Sequence, residues 1–559
     1  MEVERVEHVD EVVRVPVLIV GGGPVGLLLA ILLDAQGVDS LVVERRTEVQ
    51  AAPAAHVINA RTFEICRAAG LDAEVLERAC QPAADGAWGR WVTSLVGPEL
   101  GKVPFERQDE LDALLDVTPT PLRNLSQHRF EPILRDHLAT LDHPRLAMGR
   151  EWVTGEQDES GVVSLVRDVR TGEEQRIESA WVVAADGAGS PVRRHLGLAM
   201  DGPTRLKATI SIHVEADLRT LVADRPATLY WVTDPACEGV FVAHDHDRTW
   251  VFMHDWDPDT EAIEDYTVER CTAIFRRAMG TDEGSIVVRS ISPWMMSCQV
   301  AERYGDGRVF LAGDAAHRFP PTGGLGLNTG AADAHNLAWK LGAVIRGEAG
   351  PDLLRTYEAE RRPIAETNAA QSLENAIKTL EVVEALADQT DERSNRIAQA
   401  IEDQAPHFDM LGLQLGAVYP PPGSVDDGTP LVTAADPVRD HRPTTHPGAR
   451  LPHAWVARGD VRLSTLDLIP LDRFVLLTAS IAWAGAGEKV RAAGVPLDVV
   501  VLGDDVTDPA GAWSAVSELP AGGALLVRPD QHVLWRTPAE RPDAEEALHA
   551  ALASLLARD

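Results

Sequence analysis

Val17-Leu18-Ile19-Val20-Gly21-Gly22-Gly23-Pro24-Val25-Gly26-Leu27-Leu28-Leu29-Ala30 is the stretch that decides the fold class of this 559-residue chain. Its four leading aliphatic residues read as a central parallel strand covered on both faces. Gly21-x-Gly23-x-x-Gly26 then falls where a strand must turn into a helix. The first glycine permits the tight turn, the second lets backbone approach a pyrophosphate, and the third lets helix and strand pack closely. The helix, from Pro24 to about Gln36 with its stop at Gly37, offers free N–H groups and a positive dipole end to phosphates. Ser40–Val43 is the second strand, and Glu44 ends it about 20 residues after the motif, where an acid binds ribose hydroxyls. This βαβ unit points to a dinucleotide, but the motif alone does not separate NAD from FAD.

The rest of the composition narrows the class. The chain is 45% hydrophobic and 25% charged, ordinary for a globular protein with a substantial core. A formal net charge of −34 argues against nucleic acid or an anionic membrane as a partner. Val15–Leu33 is mostly apolar over 19 residues, but it holds four glycines and two prolines. It therefore reads as strand, turn and helix rather than a membrane span. The acidic leader Met1–Arg14 is wrong for a signal peptide. The five cysteines (Cys66, Cys80, Cys237, Cys271, Cys298) show neither CxxC nor metal-ligand spacing, so no metal site is expected. A cytoplasmic location is the expectation.

Two further apolar strands, Trp181–Ala184 and Val309–Ala312, run directly into polar motifs. The first motif is Asp186-Gly187-x-Gly189-Ser190-x-x-Arg193. The second is Gly313-Asp314-Ala315-Ala316-His317, which continues into Pro320-Pro321. Ligands bind beyond the carboxyl ends of such strands. Between them, from about Ala208 to Val288, Thr228–Val232, Val240–His244 and Thr249–Met253 read as an inserted antiparallel sheet. A helical stripe covers Gly330–Ile345, and more helix follows to about Leu386. Tyr419-Pro420-Pro421-Pro422-Gly423 reads as a linker. Phe474–Thr478, Leu497–Leu502 and Ala524–Val527 alternate with helical stretches in a small α/β domain.

These segments, with His56-x-x-Asn59-x-Arg61-Thr62-x-Glu64, Gln127-x-x-x-Glu131, Asp333, Asn336, Lys340 and Tyr357-Glu358-x-Glu360-Arg361-Arg362-Pro363, resemble the FAD-dependent aromatic hydroxylases. Those are the single-component flavoprotein monooxygenases with the p-hydroxybenzoate hydroxylase fold. Within them the chain is most similar to dichlorophenol-type phenol hydroxylases and aromatic polyketide hydroxylases. The resemblance implies an α/β fold: a Rossmann-like FAD-binding domain (residues 1–205 and 289–400) and an inserted antiparallel-sheet substrate domain (206–288). A linker (401–430) would lead to a thioredoxin-like C-terminal domain (431–559). With no cysteine after Cys298, that domain cannot exchange thiols.

The resemblance also assigns roles. Gly21, Gly23, Pro24, Gly26, Glu44, Arg45, Gln127, Asp186, Gly187, Arg193, Gly313 and Asp314 would hold FAD, Asp314 through a ribityl hydroxyl. Arg193 or Arg194 would meet a phosphate. Pro320, Pro321 and the loop through Gly324, Gly326, Leu327 and Asn328 would lie against the isoalloxazine, with His56 and Arg61 close by. The implied reaction uses NADPH or NADH, O2 and a small phenolic or polycyclic aromatic substrate, hydroxylated through a C4a-hydroperoxyflavin. The protein excludes water and positions the ring. A phenol's pKa is about 10, so a base would speed attack; His244, His246 and His254 are the candidates. Trp231, Phe241, Trp250 and Pro321 are candidates for the substrate wall. Baeyer–Villiger insertion, epoxidation and a flavin-dependent reductase stay open as alternatives, as do monomer and homodimer.

Overall fold

The computed structural model describes residues 12–50, 52–107 and 111–556. Residues 1–11 of the acidic leader lie outside this range. The strand Val13–Val20 occupies the centre of the nucleotide-binding sheet. It pairs in parallel with Glu174–Ala184 on one side and Ser40–Glu44 on the other. Val309–Leu311 and Pro144–Met148 extend the sheet outward, also in parallel. Val17–Val20 is buried on both faces, which is why the run lacks alternation. The helix Pro24–Asp34 is buried from Gly26 to Leu33, because the sheet covers one side and the helix Leu325–Ile345 the other. Those helices meet closely: a Cβ on Gly330 would lie 2.6 Å from Val25 Cγ2.

The inserted sheet has seven strands in the order Ile286–Met296, Lys207–Ala216, Thr249–Asp255, Gly239–Asp245, Leu229–Val232, Trp88–Val92 and Glu99–Pro104. It therefore draws two strands from ahead of residue 205 and runs past residue 288. Trp88–Val92 joins Leu229–Val232 in parallel, a neighbour in space with no sequence proximity. Both faces are apolar. The outer face, with Ile212, Tyr230, Phe241, Trp250 and Phe252, packs on the helix Val268–Met279 through Cys271, Phe275 and Met279. The inner face, with Trp91, Leu229, Val242 and Val251, packs on Val57, Val382, Ile401 and Phe408.

The C-terminal sheet runs Leu497–Val501, Phe474–Thr478, Ala524–Val527, Val533–Thr537. Its first pair is parallel and the rest antiparallel, with helices Ile481–Ala492 and Ala544–Leu556 completing a thioredoxin-like order. At the strand–helix turn after Thr478 stands Ser480, which caps the helix by accepting from the N–H groups of Ala482 and Trp483.

The segment expected as a linker is packed instead. Tyr419 is 3% exposed and stacks on His532 with ring centroids 4.2 Å apart. It lies over a buried ionic network that joins the two α/β domains. Arg528 donates to both oxygens of Glu360 at 2.9 and 2.8 Å and to Asp530 at 3.0 and 2.6 Å. Lys340 Nζ donates to Glu360 at 2.8 Å, and Trp339 Nε1 to Asp530 at 3.1 Å. Arg61 belongs here too, donating to Gln531 Oε1 and the Asp530 carbonyl.

Burial alone would push the Glu360 carboxyl up, but Arg528 and Lys340 outweigh it and hold the group below its ordinary 4.5. A carboxylate depressed in the folded state contributes its stability above the unfolded pKa and loses it as pH falls. The thermal midpoint is therefore expected to drop as pH falls below 4.5, and to drop less steeply in Glu360→Gln. Equal slopes in melting curves of the two proteins would remove Glu360 from the acid response.

Candidate functional site

The three motifs come together because their strands are neighbours. Val20 pairs with Ala184, and Ala184 with Leu311, so the chain leaves three adjacent strand ends into one cleft. Gly21 turns there with φ +108°, and a Cβ on it would sit 2.3 Å from the Ala185 carbonyl oxygen. A Cβ on Gly26 would lie 2.0 Å from the Gly21 oxygen, whereas one on Gly23 would meet nothing within 4 Å. Gly23 precedes Pro24 at the helix N-terminus, which has no side-chain cap and no acid in its first turn. Backbone N–H groups there are free for an anion.

Glu44 is buried, its Oε2 accepting from Gly22 N at 2.7 Å and its Oε1 from Arg46 N at 2.8 Å. Burial raises its pKa, but these N–H groups and the Arg46 guanidinium bring it below the ordinary value. The carboxylate is thus ionised at the rim of the glycine turn. Arg45 is exposed. Gln127 is half-buried, on the same helix face as Glu131, to which its Nε2 donates at 2.6 Å.

Arg193 is buried. Its guanidinium donates to the Ala315 carbonyl at 2.7 Å and to the Ala188 carbonyl at 2.9 Å. It ties the Asp186-Gly187 loop to the Gly313-Asp314 loop. Asp186 Oδ2 accepts from Val192 N at 3.2 Å, and Gly187 has φ +82° with open space at its Cβ position.

Asp314 is open to water although flanked closely by protein, and burial pushes its carboxyl above the ordinary value against His317 and Arg318. No hydrogen bond engages its carboxylate among the described residues. The Gly313 N–H is held by Asp333 Oδ2 at 3.1 Å. Asp333 also accepts from His317 Nε2 at 2.8 Å and from Arg361 Nε at 2.9 Å, all three side chains being buried. All three belong to the segments that carry the resemblance, but their meeting is not legible in the sequence, where Asp333 reads as a polar residue inside the apolar stripe of a helix.

Residues expected as a loop beside the cofactor prove to be helical. The helix begins at Leu325, so Gly326, Leu327 and Asn328 form its first turn. Gly324 precedes it in the left-handed region at φ +63°, and a Cβ there would lie 2.9 Å from Val57. This N-terminus also lacks a side-chain cap or an acid in its first turn. Asn328 is a staple rather than a ligand by its side chain: Oδ1 accepts from Asn59 N and Thr62 Oγ1, and Nδ2 donates to Val57 O and Gly324 O. Pro320 is buried and Pro321 exposed.

The inserted sheet sorts its candidates by face. Trp231 is on the inner face, stacked on Trp91 at 4.6 Å. Phe241 is not a substrate wall: it is 0% exposed and packs at 4.5 Å from Phe252 and 5.1 Å from Phe275 in the outer core. Strand alternation puts it opposite to Val240 and Val242, and Trp250 shares its fate. His244 is on the inner face but buried, its Nδ1 engaged by Ser126 Oγ and its ring against His56 and His128. Burial, with His56 and His128 beside it, holds its pKa well below the ordinary value. His246 bonds the Ala227 carbonyl and His254 the Glu238 carbonyl, both structural contacts.

Two uncapped helix N-termini, an ionised acid at the glycine turn, an unengaged carboxylate and open space at Gly23, Gly187 and Gly326 fit a dinucleotide with a polar linker and a flat ring system. No helix among the described residues is long and apolar enough to cross a membrane, and none of their His, Cys, Asp or Glu side chains group to hold a metal.

Comparison with known proteins agrees with this geometry. Residues 14–372 match a family described as an FAD binding domain, and residues 444–558 one described as the C-terminal region of aromatic-ring hydroxylases. The chain is 37% identical to tetracenomycin A2 monooxygenase-dioxygenase of Streptomyces glaucescens, over 98% of this chain and 97% of that protein. It is 34% identical to 2,4-dichlorophenol 6-monooxygenase of Delftia acidovorans, over 98% of each. The crystal structure of the flavin-dependent monooxygenase PieE in complex with FAD and substrate superposes with a TM-score of 0.93 at 35% identity, covering 98% of this chain and all of that one.

Proposed function

The chain belongs to the FAD-dependent aromatic-ring hydroxylases, and on that premise we propose that it hydroxylates a phenolic or polycyclic aromatic substrate with NAD(P)H as reductant and O2 as oxygen donor. The observation that carries this is the cleft itself: three motif loops converge on adjacent strand ends, and the inner face of the inserted sheet packs on Val57, the neighbour of the Gly324 turn. FAD, when bound, supplies the electron transfer and oxygen activation.

The protein's part is binding, orientation and exclusion of water. Gly21 and Gly23 let the backbone approach the pyrophosphate, and the uncapped helix at Pro24 faces its charge. Glu44 would accept from the adenosine ribose, and Asp314 from a ribityl hydroxyl. The first-turn N–H groups of the helix at Leu325 would favour negative charge on the reduced ring. Asp333, His317 and Arg361 hold the Gly313-Asp314 loop in place, and the inserted sheet would keep water from the reacting ring.

Asp314→Ala is expected to weaken FAD binding by about 10–100-fold, the worth of one hydrogen bond to a charged group, without lowering the apoprotein's thermal midpoint. Titration of apoprotein with FAD checks it; unchanged affinity would take the ribityl contact away from Asp314. The reaction itself is tested by anaerobic mixing with NADPH or NADH, with and without aromatic compounds, followed by 18O2 and mass analysis of product. Flavin bleaching accelerated by an aromatic, with one 18O in the product, supports the proposal. Equal bleaching without an aromatic, and no 18O, would make the protein a reductase.

A further inference from the structure

A cavity of about 230 Å³ lies behind the Asp186-Gly187 motif, roofed by the short helix Pro191–His195. Its side wall is the hairpin of strands Arg150–Gln157 and Val162–Asp168. The register of that hairpin shifts between Trp152 and Thr154. Such a bulge re-aims side chains, and Trp152 is turned inward to 6% exposure. Val182 and Val309, opposite each other on adjacent parallel strands, form the floor. Each stands two residues short of the strand end, Ala184 or Leu311, that opens into the cofactor cleft.

The interior is apolar, with Trp152, Val162, Val182, Val192, Leu196 and Val309 facing it. The polar groups of the wall engage one another. His195 Nε2 donates to the Gly155 carbonyl at 2.7 Å, and Trp152 Nε1 to Ser164 Oγ at 3.2 Å. Gln157 donates to the Asp306 carbonyl at 3.1 Å and accepts from Arg308 N at 2.7 Å. The Asp306 carboxylate pairs with Arg303 at 2.9 Å. A charged ligand needs a counter-charge, and water needs several polar partners; this wall suits neither. An apolar cavity of about 150 Å³ takes one benzene ring, so this one admits a single substituted ring and excludes three fused rings.

The roof is tied to the cofactor loops. Val192 N donates to Asp186 Oδ2 at 3.2 Å. Arg193, next along the chain, donates to the carbonyls of Ala188 and Ala315. A helix of five residues has too few internal hydrogen bonds to hold itself. Val192 and Leu196 are four apart, on one face. An occupant packed against both therefore fixes the helix, and with it the Asp186-Gly187 and Gly313-Asp314 loops.

We propose that this cavity is an effector site for a neutral single-ring aromatic, whose occupation tightens FAD binding through the helix Pro191–His195. The link is reciprocal, so FAD tightens the effector by the same factor. The inference rests on the placement of FAD at the three motif loops and adds an aromatic site that takes no part in the reaction.

Iodobenzene is the probe. Crystals of the FAD-loaded full chain soaked in it should show an anomalous iodine peak between Trp152 and Val192. Titration of apoprotein with FAD should give an affinity roughly fivefold tighter, or more, at saturating iodobenzene. Val162→Phe and Leu196→Phe place a ring in the cavity from two different walls. Each should lose the iodine peak and bind FAD without iodobenzene as tightly as the wild type does with it. Where one of them overpacks and fails to fold, the other variant and the wild-type titration carry the test. No peak in the cavity, or a peak with unchanged FAD affinity, would overturn the proposal. So would tightening that persists in a filled variant, since that places the effect in the cofactor cleft. Tightening by iodobenzene in a protein that forms no oxygenated product would leave the effector site standing and remove the hydroxylase reading.

Discussion

Arg528→Met is expected to destabilise the protein by about 3–5 kcal/mol, the usual penalty for stranding a buried charge. Arg528 is 0% exposed, and its guanidinium is shared by Glu360 and Asp530. Without it, two buried carboxylates face each other with one ammonium, Lys340, between the domains. Methionine fills much of the volume but offers no donors. Since Trp339, Asn336 and Lys340 belong to the helix whose N-terminus begins at Leu325, loosening them should also loosen the cofactor. The expected result is a melting transition lowered by roughly 3–4 °C, with flavin fluorescence released at the same temperature. Arg528→Met combined with Glu360→Gln should be less damaging than the sum of the two single changes, because the stranded charge is then removed. A wild-type melting curve for Arg528→Met would mean that the hydrophobic contact of Trp339, Phe474 and Leu526 holds the domains by itself.

That network shows where sequence reasoning stops. Arg61, Lys340, Glu360, Arg528 and Asp530 are spread over 470 residues, and nothing local marks them as partners. The glycine motif was legible because it is a local demand: Gly21 has a left-handed φ and a carbonyl at its back, and only glycine meets both. Strand cores such as Val17–Val20 and Phe474–Thr478 were legible because burial on both faces leaves an unbroken apolar run. The same property hid which residues of the inserted sheet turn inward. Since both of its faces are apolar, alternation could not say whether Trp231, Phe241 or Trp250 turns inward, and only register with Trp91 and Met253 decides it. The helix start at Leu325 was missed for another reason. Gly323, Gly324 and Gly326 read as a loop, whereas Gly324 ends the turn in the left-handed region and the helix follows at once.

Gly21→Ala and Gly23→Ala, two residues apart in one motif, are expected to fail in different ways. An alanine at Gly21 needs φ +108° and drives its methyl to 2.3 Å from the backbone oxygen of Ala185. Neither strand end can retreat, because Gly21 N is itself bonded to the Val43 carbonyl at 2.8 Å. Two parallel strands would have to part at the centre of the sheet, so this variant should be colourless and poorly folded even as apoprotein. At Gly23 the backbone is extended with φ −77°, which any residue adopts, and the added methyl meets nothing within 4 Å. The apoprotein should fold and melt like the wild type. The space that methyl enters, however, is where the proposed site would have the pyrophosphate approach the helix N-terminus. FAD affinity is then expected to fall about 10–100-fold, equivalent to about 1.4–2.8 kcal/mol. Paired thermal melts and FAD titrations of the two apoproteins separate a glycine required by the fold from one required by the ligand. If Gly23→Ala binds FAD as tightly as the wild type, the open space at that turn is not the phosphate site. The free N–H groups of the first turn after Pro24 would then have to be satisfied by water.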